Sequence, residues 1–433
     1  MRRRFITAAA VVAALATAGL AAAGSGTPPG PPIPDPAGII DLPSGYSYDI
    51  LSTSCVDEVT STESGATFPM PEDFDANVLF PAGKGKLWLL NNHELTEPRP
   101  GDFTGDATKC TVDEQATTDD GDSDAWGSVS RLTLAKDGTT VLASELITTG
   151  LHNLCAANPT PWGTYLTNEE FPFGRRLVSN DPEQRSGWVW EVNPMTGEAT
   201  RATGMGWFSH EQADYLNKRL WYLTDDQGDW RFIYRFVADR KGDLADGKLY
   251  GLDFDRETQT GRWVGPLDPF DPHADMVARG YVPTVDGFSK AEGLVANPQR
   301  SWIAFTESGE GVMDAGRVWR LVGKGKTVRG EVLAEGDWIN FSRPDNLRYA
   351  PNGDLYVMED HGSADRAGHP EINAGEDVWV LPKGKKGFEN MYRFANTPAE
   401  PTGPWFHRNG KVLYLSLQGN PSRVLAISGS FGK

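Results

Sequence analysis

The chain has 433 residues, with 41 lysines and arginines against 59 aspartates and glutamates, and a formal net charge of -18 at pH 7. Nucleic acid and anionic lipid are poor partners for so acidic a chain, because both attract basic proteins. A small anionic substrate is not excluded, since repulsion between exposed charges is screened within about 8 Å at physiological salt.

The N-terminal segment predicts export. Arg2, Arg3 and Arg4 precede an uncharged apolar run over residues 7–23, which is too short for a membrane span and ends in small residues that suit cleavage. We therefore expect residues 1–23 to be a signal peptide. The Arg-Arg-x-Phe-Ile order is typical of the twin-arginine type, although an ordinary secretory signal has a similar basic start. The mature protein is expected to be periplasmic, cell-wall-associated or extracellular.

A spacer rich in proline and glycine follows over residues 24–38. Its Pro-Pro-Gly-Pro-Pro run favours a stiff, extended chain without core-forming residues. We expect the folded domain to occupy residues 39–433. No second long apolar run follows, so no membrane span is expected in the mature form.

Short apolar and aromatic runs recur through the folded part and predict strands of about five residues. Turn signals separate them, and no stretch shows a long 3.6-residue apolar period. The chain is therefore predicted to be all-β. Radial repetition protects the edges of many short antiparallel strands, which favours a closed, monomeric β-propeller over two packed sheets. Examples of the predicted strands are residues 86–90, 188–192, 219–223, 317–321 and 412–415.

The three cysteines differ in their surroundings. Cys55 and Cys110 lie in polar, loop-like segments, and a disulfide between them would leave Cys155 unpaired. A buried free thiol and a metal ligand are both open interpretations of Cys155.

Acidic residues also occur in or just after predicted strands, where a solvated turn explains them poorly. Inner strands of a propeller converge on one channel, and carboxylates that meet there need cations to offset their charge. Carboxylate oxygens suit a hard ion such as calcium, whereas a thiolate favours a transition metal such as iron or zinc. The candidate residues are Glu94, Glu169, Glu170, Glu211, Glu292, Asp345 and Asp360.

One long segment resembles a known family. Residues 153–170 read Asn-Leu-Cys-Ala-Ala-Asn-Pro-Thr-Pro-Trp-Gly-Thr-Tyr-Leu-Thr-Asn-Glu-Glu, which is similar to the Asn-Cys, Thr-Pro-Trp-Gly-Thr-Trp and Glu-Glu signature of the PhoX alkaline phosphatases. Residues 92–94, 206–211, 345–347 and 400–404 support the resemblance.

The resemblance implies a six-bladed β-propeller that holds iron (Fe3+) and calcium (Ca2+) in its central channel. It also implies hydrolysis of small phosphate monoesters through a metal-activated oxide or hydroxide. Cys155 would ligate iron, with Glu211 beside it. Glu169, Glu170, Glu292 and Asp345 would hold the remaining metals, and Glu94 and Asp360 match their motifs without a clear role.

Some positions depart from the family pattern. Lys290 stands where the family has an arginine two residues before a metal-binding glutamate. A lysine would bind phosphate as a point charge, without the bidentate fork of arginine. Leu154 is an extra residue before Cys155. His93 and His210 could orient metal ligands or could be packed structural histidines.

Two other functions stay open at this point. One is a calcium-dependent, lactonase-like hydrolase, in which the motif around Cys155 would be incidental. The other is a non-catalytic calcium-binding propeller, to which the loss of the arginine at position 290 gives some weight.

Overall fold

The computed structural model describes residues 28–95, 127–170, 186–227, 230–297, 299, 301–309, 311–369, 372 and 375–432. The predicted signal peptide and Cys110 lie outside these residues, so the signal peptide and the Cys55–Cys110 disulfide stay predictions. In the described part, no helix is long and apolar enough to cross a membrane.

Strands dominate the described residues. The first half of the chain contains β1 (Ser47–Thr53), β2 (Glu58–Ser61), β3 (Thr67–Pro69), β4 (Phe74–Gly83), β5 (Lys86–His93), β6 (Gly127–Leu134), β7 (Val141–Leu151), β8 (Leu154–Pro159), β9 (Tyr165–Glu169), β10 (Val189–Val192), β11 (Ala199–Arg201), β12 (His210–Asn217), β13 (Leu220–Asp225) and β14 (Trp230–Arg231).

The second half contains β15 (Tyr234–Ala238), β16 (Gly247–Asp255), β17 (Thr260–Leu267), β18 (Phe288–Ser289), β19 (Ala291–Ala296), β20 (Trp302–Glu307), β21 (Arg317–Val322), β22 (Thr327–Glu335), β23 (Pro344–Tyr349), β24 (Leu355–Glu359), β25 (Glu376–Leu381), β26 (Tyr392–Thr397), β27 (Glu400–Phe406), β28 (Val412–Gln418) and β29 (Arg423–Ser428). Three short helices accompany them, namely α1 (Pro272–Ala278), α2 (Pro283–Asp286) and α3 (Ser363–Gly368).

Most strands pair antiparallel with the next strand along the chain, so the sheets are meanders. The sheets β8–β11 and β23–β26 have four strands each, and β1 completes a further four-stranded sheet beside β29, β28 and β27. β2 and β3 extend the meander β4–β7 to six strands. Pairing of β17 with β22 joins the strands β12, β13, β15 and β16 to the meander β19–β22 in one nine-stranded sheet.

The first strands of successive meanders contact one another in a closed ring, in the order β4, β8, β12, β19, β23, β27 and back to β4. We call these the inner strands, and they surround a central channel. The all-β, propeller-like prediction is confirmed. The predicted count of six separate blades is not, because the β17–β22 pairing merges two of the meanders into one sheet.

Buried polar side chains tie the inner strands together. The amide of Asn158 on β8 donates to the carbonyl of Ala213 on β12, at 2.8 Å. The Asp214 carboxylate accepts a hydrogen bond from the backbone of Ala296 on β19, at 2.7 Å. Since buried polar groups need partners, these polar residues favour the channel over the apolar layers between sheets.

The apolar core is divided among the contacts between neighbouring sheets. One cluster packs Leu166 and Val189 of one meander against Trp221, Leu223 and Phe236 of the next. Each sheet therefore buries both faces against its neighbours, as a propeller requires of a chain too long for one core.

Candidate functional site

Carboxylates from three inner strands meet where those strands begin. Glu211, Glu292 and Asp345 are the second residues of β12, β19 and β23. Each offers an oxygen that lies within 4.8 Å of an oxygen from the other two, and all three side chains are buried. We call this end of the channel the acidic end.

A second group lies at the same end and includes the predicted thiol. Ligand atoms of Glu94, Cys155 and Glu170 also lie within 4.8 Å of one another. The sulfur of Cys155 is 3.2 Å from Oε2 of Glu170. The amide of Asn153 donates to the same oxygen at 2.7 Å, and to Oε1 of Glu94 at 3.4 Å.

One positional rule accounts for much of the site. Cys155 and Asp75 are the second residues of β8 and β4, as Glu211, Glu292 and Asp345 are of their own inner strands. Equivalent positions of neighbouring inner strands lie side by side around the channel, so side chains distant in sequence become neighbours.

The electrostatics of this end call for cations. Burial raises the pKa of Glu211, and Asp345, Asp75, Glu292 and Glu170 raise it further, which shows that the two groups act on each other. Burial, followed by the charge of Glu170, raises the pKa of the Cys155 thiol. So many acids cannot all ionise in a buried site without compensation.

The available atoms fit bound metals. Oδ2 of Asp75 and Oδ1 of Asp226 are buried and have no hydrogen-bond partner within the described residues. The group of Glu94, Cys155 and Glu170 mixes a sulfur with oxygens, which suits a transition metal. The group of Glu211, Glu292 and Asp345 offers oxygens alone, which suits calcium.

Comparison with known proteins agrees with this geometry. A family model described as alkaline phosphatase PhoX matches residues 27–421. The chain belongs to the alkaline phosphatase PhoX family. It is therefore a phosphatase of the phosphoric monoester hydrolase class, and its substrate is a small phosphate ester. None of the curated proteins matches the chain significantly.

One solved structure shares the fold, and two further structures match the chain with lower TM-scores. PhoX from Pseudomonas fluorescens, in complex with the transition-state analogue vanadate, is 18% identical with a TM-score of 0.67, and the match covers 90% of this chain and 96% of that chain. A Dyadobacter fermentans protein is 14% identical, with a TM-score of 0.47 and coverage of 89% and 99%. A gluconolactonase from Xanthomonas campestris is 12% identical, with a TM-score of 0.38 and coverage of 82% and 96%.

Lys290 contributes a cation to the acidic end of this PhoX-family chain. Its ammonium lies 2.9 Å from Oε1 of Glu292 and 3.6 Å from Oδ2 of Asp226. These two charges raise the pKa of Lys290 against the opposing effect of burial, so the side chain stays protonated. Its side chain is 35% exposed.

Glu169, which the PhoX resemblance implies as a metal ligand, belongs to neither of the two groups. Its Oε1 accepts a hydrogen bond from the backbone of His152 at 3.1 Å, and its Oε2 accepts from Gly187 at 2.9 Å and Trp188 at 3.1 Å. Adjacent strand residues point to opposite faces, so Glu170 and Glu169 diverge. Glu169 holds backbone instead of facing the channel site.

Two further predicted residues lie at the acidic end. Glu211 is grouped with Glu292 and Asp345, and its charge also raises the pKa of the Cys155 thiol, beside which the PhoX resemblance placed it. Asp360 belongs to neither group of possible ligands. Burial raises its pKa to about 6, while the neighbouring charge of Lys290 acts in the opposite direction.

Both candidate histidines are packed against backbone. Nδ1 of His93 lies 2.9 Å from the carbonyl of Glu72, and Nε2 of His210 lies 2.8 Å from the carbonyl of Gly206. Burial lowers the pKa of His93 to about 4 and that of His210 to about 3, so both rings are neutral. These contacts support a structural role.

Sequence reasoning missed several residues of the site. Asp75 accepts hydrogen bonds from Thr402 and from Gln418, and Gln418 also donates to Oε2 of Glu94 at 2.7 Å. Burial raises the pKa of Asp226 and of Glu400, and neighbouring site carboxylates raise both further. The signal that could have found Asp75 is its place at the second position of an inner strand.

Proposed function

We propose that this PhoX-family chain is an exported, metal-dependent phosphomonoesterase with iron and calcium bound at the acidic end of a six-bladed propeller. The proposal rests on the presence of two groups of possible metal ligands that differ in chemistry. One group joins the thiol of Cys155 on β8 to the carboxylates that follow β5 and β9, and the other contains only carboxylates from three inner strands.

Cys155, Glu170 and Glu94 would hold the iron, and Glu211, Glu292 and Asp345 would hold calcium. Bound cations would offset the charge of the phosphoryl group and help water to attack it near neutral pH. The buried carboxylates would in turn lose the protons that their raised pKa values retain in the metal-free protein.

Lys290 would bind a phosphoryl oxygen of the ester. The carboxylates of Glu292 and Asp226 hold its ammonium at the acidic end, so little side-chain freedom remains to be lost when the substrate binds. A single ammonium constrains the orientation of the phosphoryl group less than a guanidinium fork does. We therefore expect a site that tolerates varied leaving groups.

The six-bladed count rests on the ring of inner strands. Six meanders each contribute one inner strand, and the additional pairing of β17 with β22 lies at outer strands. We count the nine-stranded sheet as two blades joined at their outer edges. β1 pairs with β29, so a strand from the N-terminal part of the chain completes the blade formed by the C-terminal part. This pairing closes the ring of blades, as is usual in propellers.

The first test is elemental analysis of the exported protein, with hydrolysis of p-nitrophenyl phosphate before and after treatment with a calcium chelator. We expect iron and calcium in the protein, and loss of hydrolysis on chelation that calcium restores. Calcium without iron, or hydrolysis that survives removal of all metals, would contradict the proposed site.

Export is tested separately, by following the protein in cell fractions. Replacing Arg2 and Arg3 by lysine should block a twin-arginine route and retain the precursor inside the cell. Export that continues unchanged would favour an ordinary secretory signal, whereas a wild-type protein found only inside the cell would contradict export.

A further inference from the structure

The exposed lysines among the described residues lie at one end of the propeller. Apart from Lys290, every lysine among the described residues is exposed and lies in or beside the turns β4–β5, β6–β7, β12–β13, β15–β16, β21–β22, β25–β26 and β27–β28. The first and third turns of an antiparallel four-stranded meander fall at the same end. These turns therefore lie opposite the acidic end, and we call their exposed surface the lysine face.

This segregation contrasts with the net charge of the whole chain, -18. Such charge separation gives the molecule an acidic end that carries the catalytic site and an opposite end that attracts anions. Some acids also lie on the lysine face. Glu331 pairs with Arg320 and Lys386, and Asp354 accepts a backbone hydrogen bond from Lys383 at 2.8 Å.

A groove runs through the lysine face between β19–β22 and β23–β26. A cavity of about 210 Å³ is lined by Trp302, Arg320, Tyr349, Lys383, Lys385 and Lys386, among others. The Arg320 guanidinium lies 5.1 Å from the centre of the Trp302 ring, and Trp302 donates a hydrogen bond to the Tyr349 hydroxyl at 3.1 Å. Lys383 and Lys385 form no ion pair with any described residue.

The groove continues toward the channel axis. A neighbouring cavity of about 330 Å³ also contains Tyr349, and Arg348, Trp405 and Arg408 contribute to its lining. Arg348 stacks on the Trp405 ring, 3.8 Å from its centre. The two cavities share Asn297 and Tyr349 in their linings, and together we call them the basic groove. Asp214 is the acidic residue in the lining of the second cavity.

We propose that the lysine face binds a linear polyphosphate chain, with the basic groove as the main contact. A row of cations in a groove suits an extended chain of repeated phosphate groups. A flat lipid bilayer would meet the exposed turns but would not fill the groove. The acidic end faces the opposite way, so a polymer-bound molecule keeps its catalytic site open to small substrates. The inference does not depend on the proposed metals.

The test uses full-length purified protein, chelator-treated so that the acidic end holds no metal, and measures binding to long-chain inorganic polyphosphate across a range of salt concentrations. The groove variant carries K383Q, K385Q and K386Q, three lysines that line the groove. A control variant with the same change in charge carries K84Q, K86Q and K136Q on the same face. All six side chains are exposed, and circular dichroism confirms folding.

We expect the groove variant to lose at least tenfold in affinity at about 50 mM salt and to show a shallower salt dependence, because fewer counterions are released. The control variant should lose less than threefold. Metal-loaded forms of both variants should hydrolyse p-nitrophenyl phosphate like the wild type, which separates this test from that of the proposed function.

Four results would overturn the proposal. Equal losses in the two variants would mean that no groove selects the polymer. Unchanged binding by the groove variant, or loss of wild-type binding on chelation, would place the polymer elsewhere on the molecule. Binding to phosphatidylglycerol vesicles without binding to polyphosphate would make the lysine face a membrane-contacting surface.

Discussion

Replacing Glu211 by glutamine should affect the metal-free and the metal-loaded protein in opposite directions. The Glu211 carboxylate lies within 4.8 Å of those of Glu292 and Asp345. At that distance, with an effective dielectric constant of about 20, each ionised pair repels by about 3.5 kcal/mol. Glutamine keeps the shape of the side chain and removes its charge.

The sign of the stability change in the metal-free protein follows from the raised pKa of Glu211. This pKa exceeds the ordinary value of 4.5 because of burial and the neighbouring carboxylates. The folded metal-free protein retains protons that the unfolded chain releases, so its free energy of unfolding falls as pH rises above about 4.5. Because partial protonation already relieves some repulsion, we expect the E211Q variant to gain about 2 kcal/mol at pH 7, or about 2–3 °C in Tm for a domain of this size.

Calorimetry of chelated and calcium-loaded protein measures both effects. Calcium should raise the Tm of the wild type well above that of the variant, which lacks one carboxylate ligand. Glu198→Gln is the matched control, because Glu198 is exposed and distant from the acidic end. This substitution should change the free energy of unfolding by no more than about 0.5 kcal/mol, in the chelated and in the calcium-loaded protein. A metal-free E211Q protein that is less stable than the wild type would refute the reasoning.

Four further predictions concern individual residues. Glu169→Gln should lower the free energy of unfolding, measured in urea, by about 2–4 kcal/mol, because three backbone amides donate to this carboxylate. The metal content of this variant should be unchanged, whereas Glu170→Gln should lose metal. A loss of metal in both variants would contradict the different roles of the two glutamates. Cys155→Ser should remove iron and retain calcium in elemental analysis, and retained iron would exclude the thiol as its ligand. Lys290→Ala should lower kcat/KM for p-nitrophenyl phosphate about 10- to 100-fold, and Lys290→Arg should restore most of it; equal losses in both would count against phosphate binding. Burial raises the pKa of Asp225 from 3.8 to about 8, so the metal-free wild type should lose stability as the pH rises between those values. In urea unfolding, the Asp225→Asn variant should be more stable than the wild type at pH 8–9 but not below pH 4. A difference in free energy of unfolding that does not change with pH would exclude this titration.

Local patterns allowed the strands, the family resemblance and much of the site to be predicted. Short apolar runs with turn signals indicate strands without reference to the rest of the chain. Cys155 and Glu170 belong to one motif, in which β8 and β9 are adjacent strands, so their proximity follows from local pairing. The motifs around Glu292 and Asp345 predict both residues as ligands without reference to the residues that face them.

The division between Glu169 and Glu170 depends on the structure around them. Strand alternation implies that only one of two adjacent residues faces the channel. Which one does so depends on the backbone amides of Gly187 and Trp188, which the fold brings to Glu169. A sequence motif that contains both glutamates does not separate a ligand from a structural acceptor.

The amino-acid sequence by itself determined the all-β class, the positions of most strands and the residue types of the site. Ring closure decided what those residues do together. Asp75 and Glu211 are separated by more than a hundred residues, yet they share the second position of inner strands that converge on one channel. The segregation of the lysines likewise became visible only in three dimensions, because the direction of each meander decides at which end its turns lie.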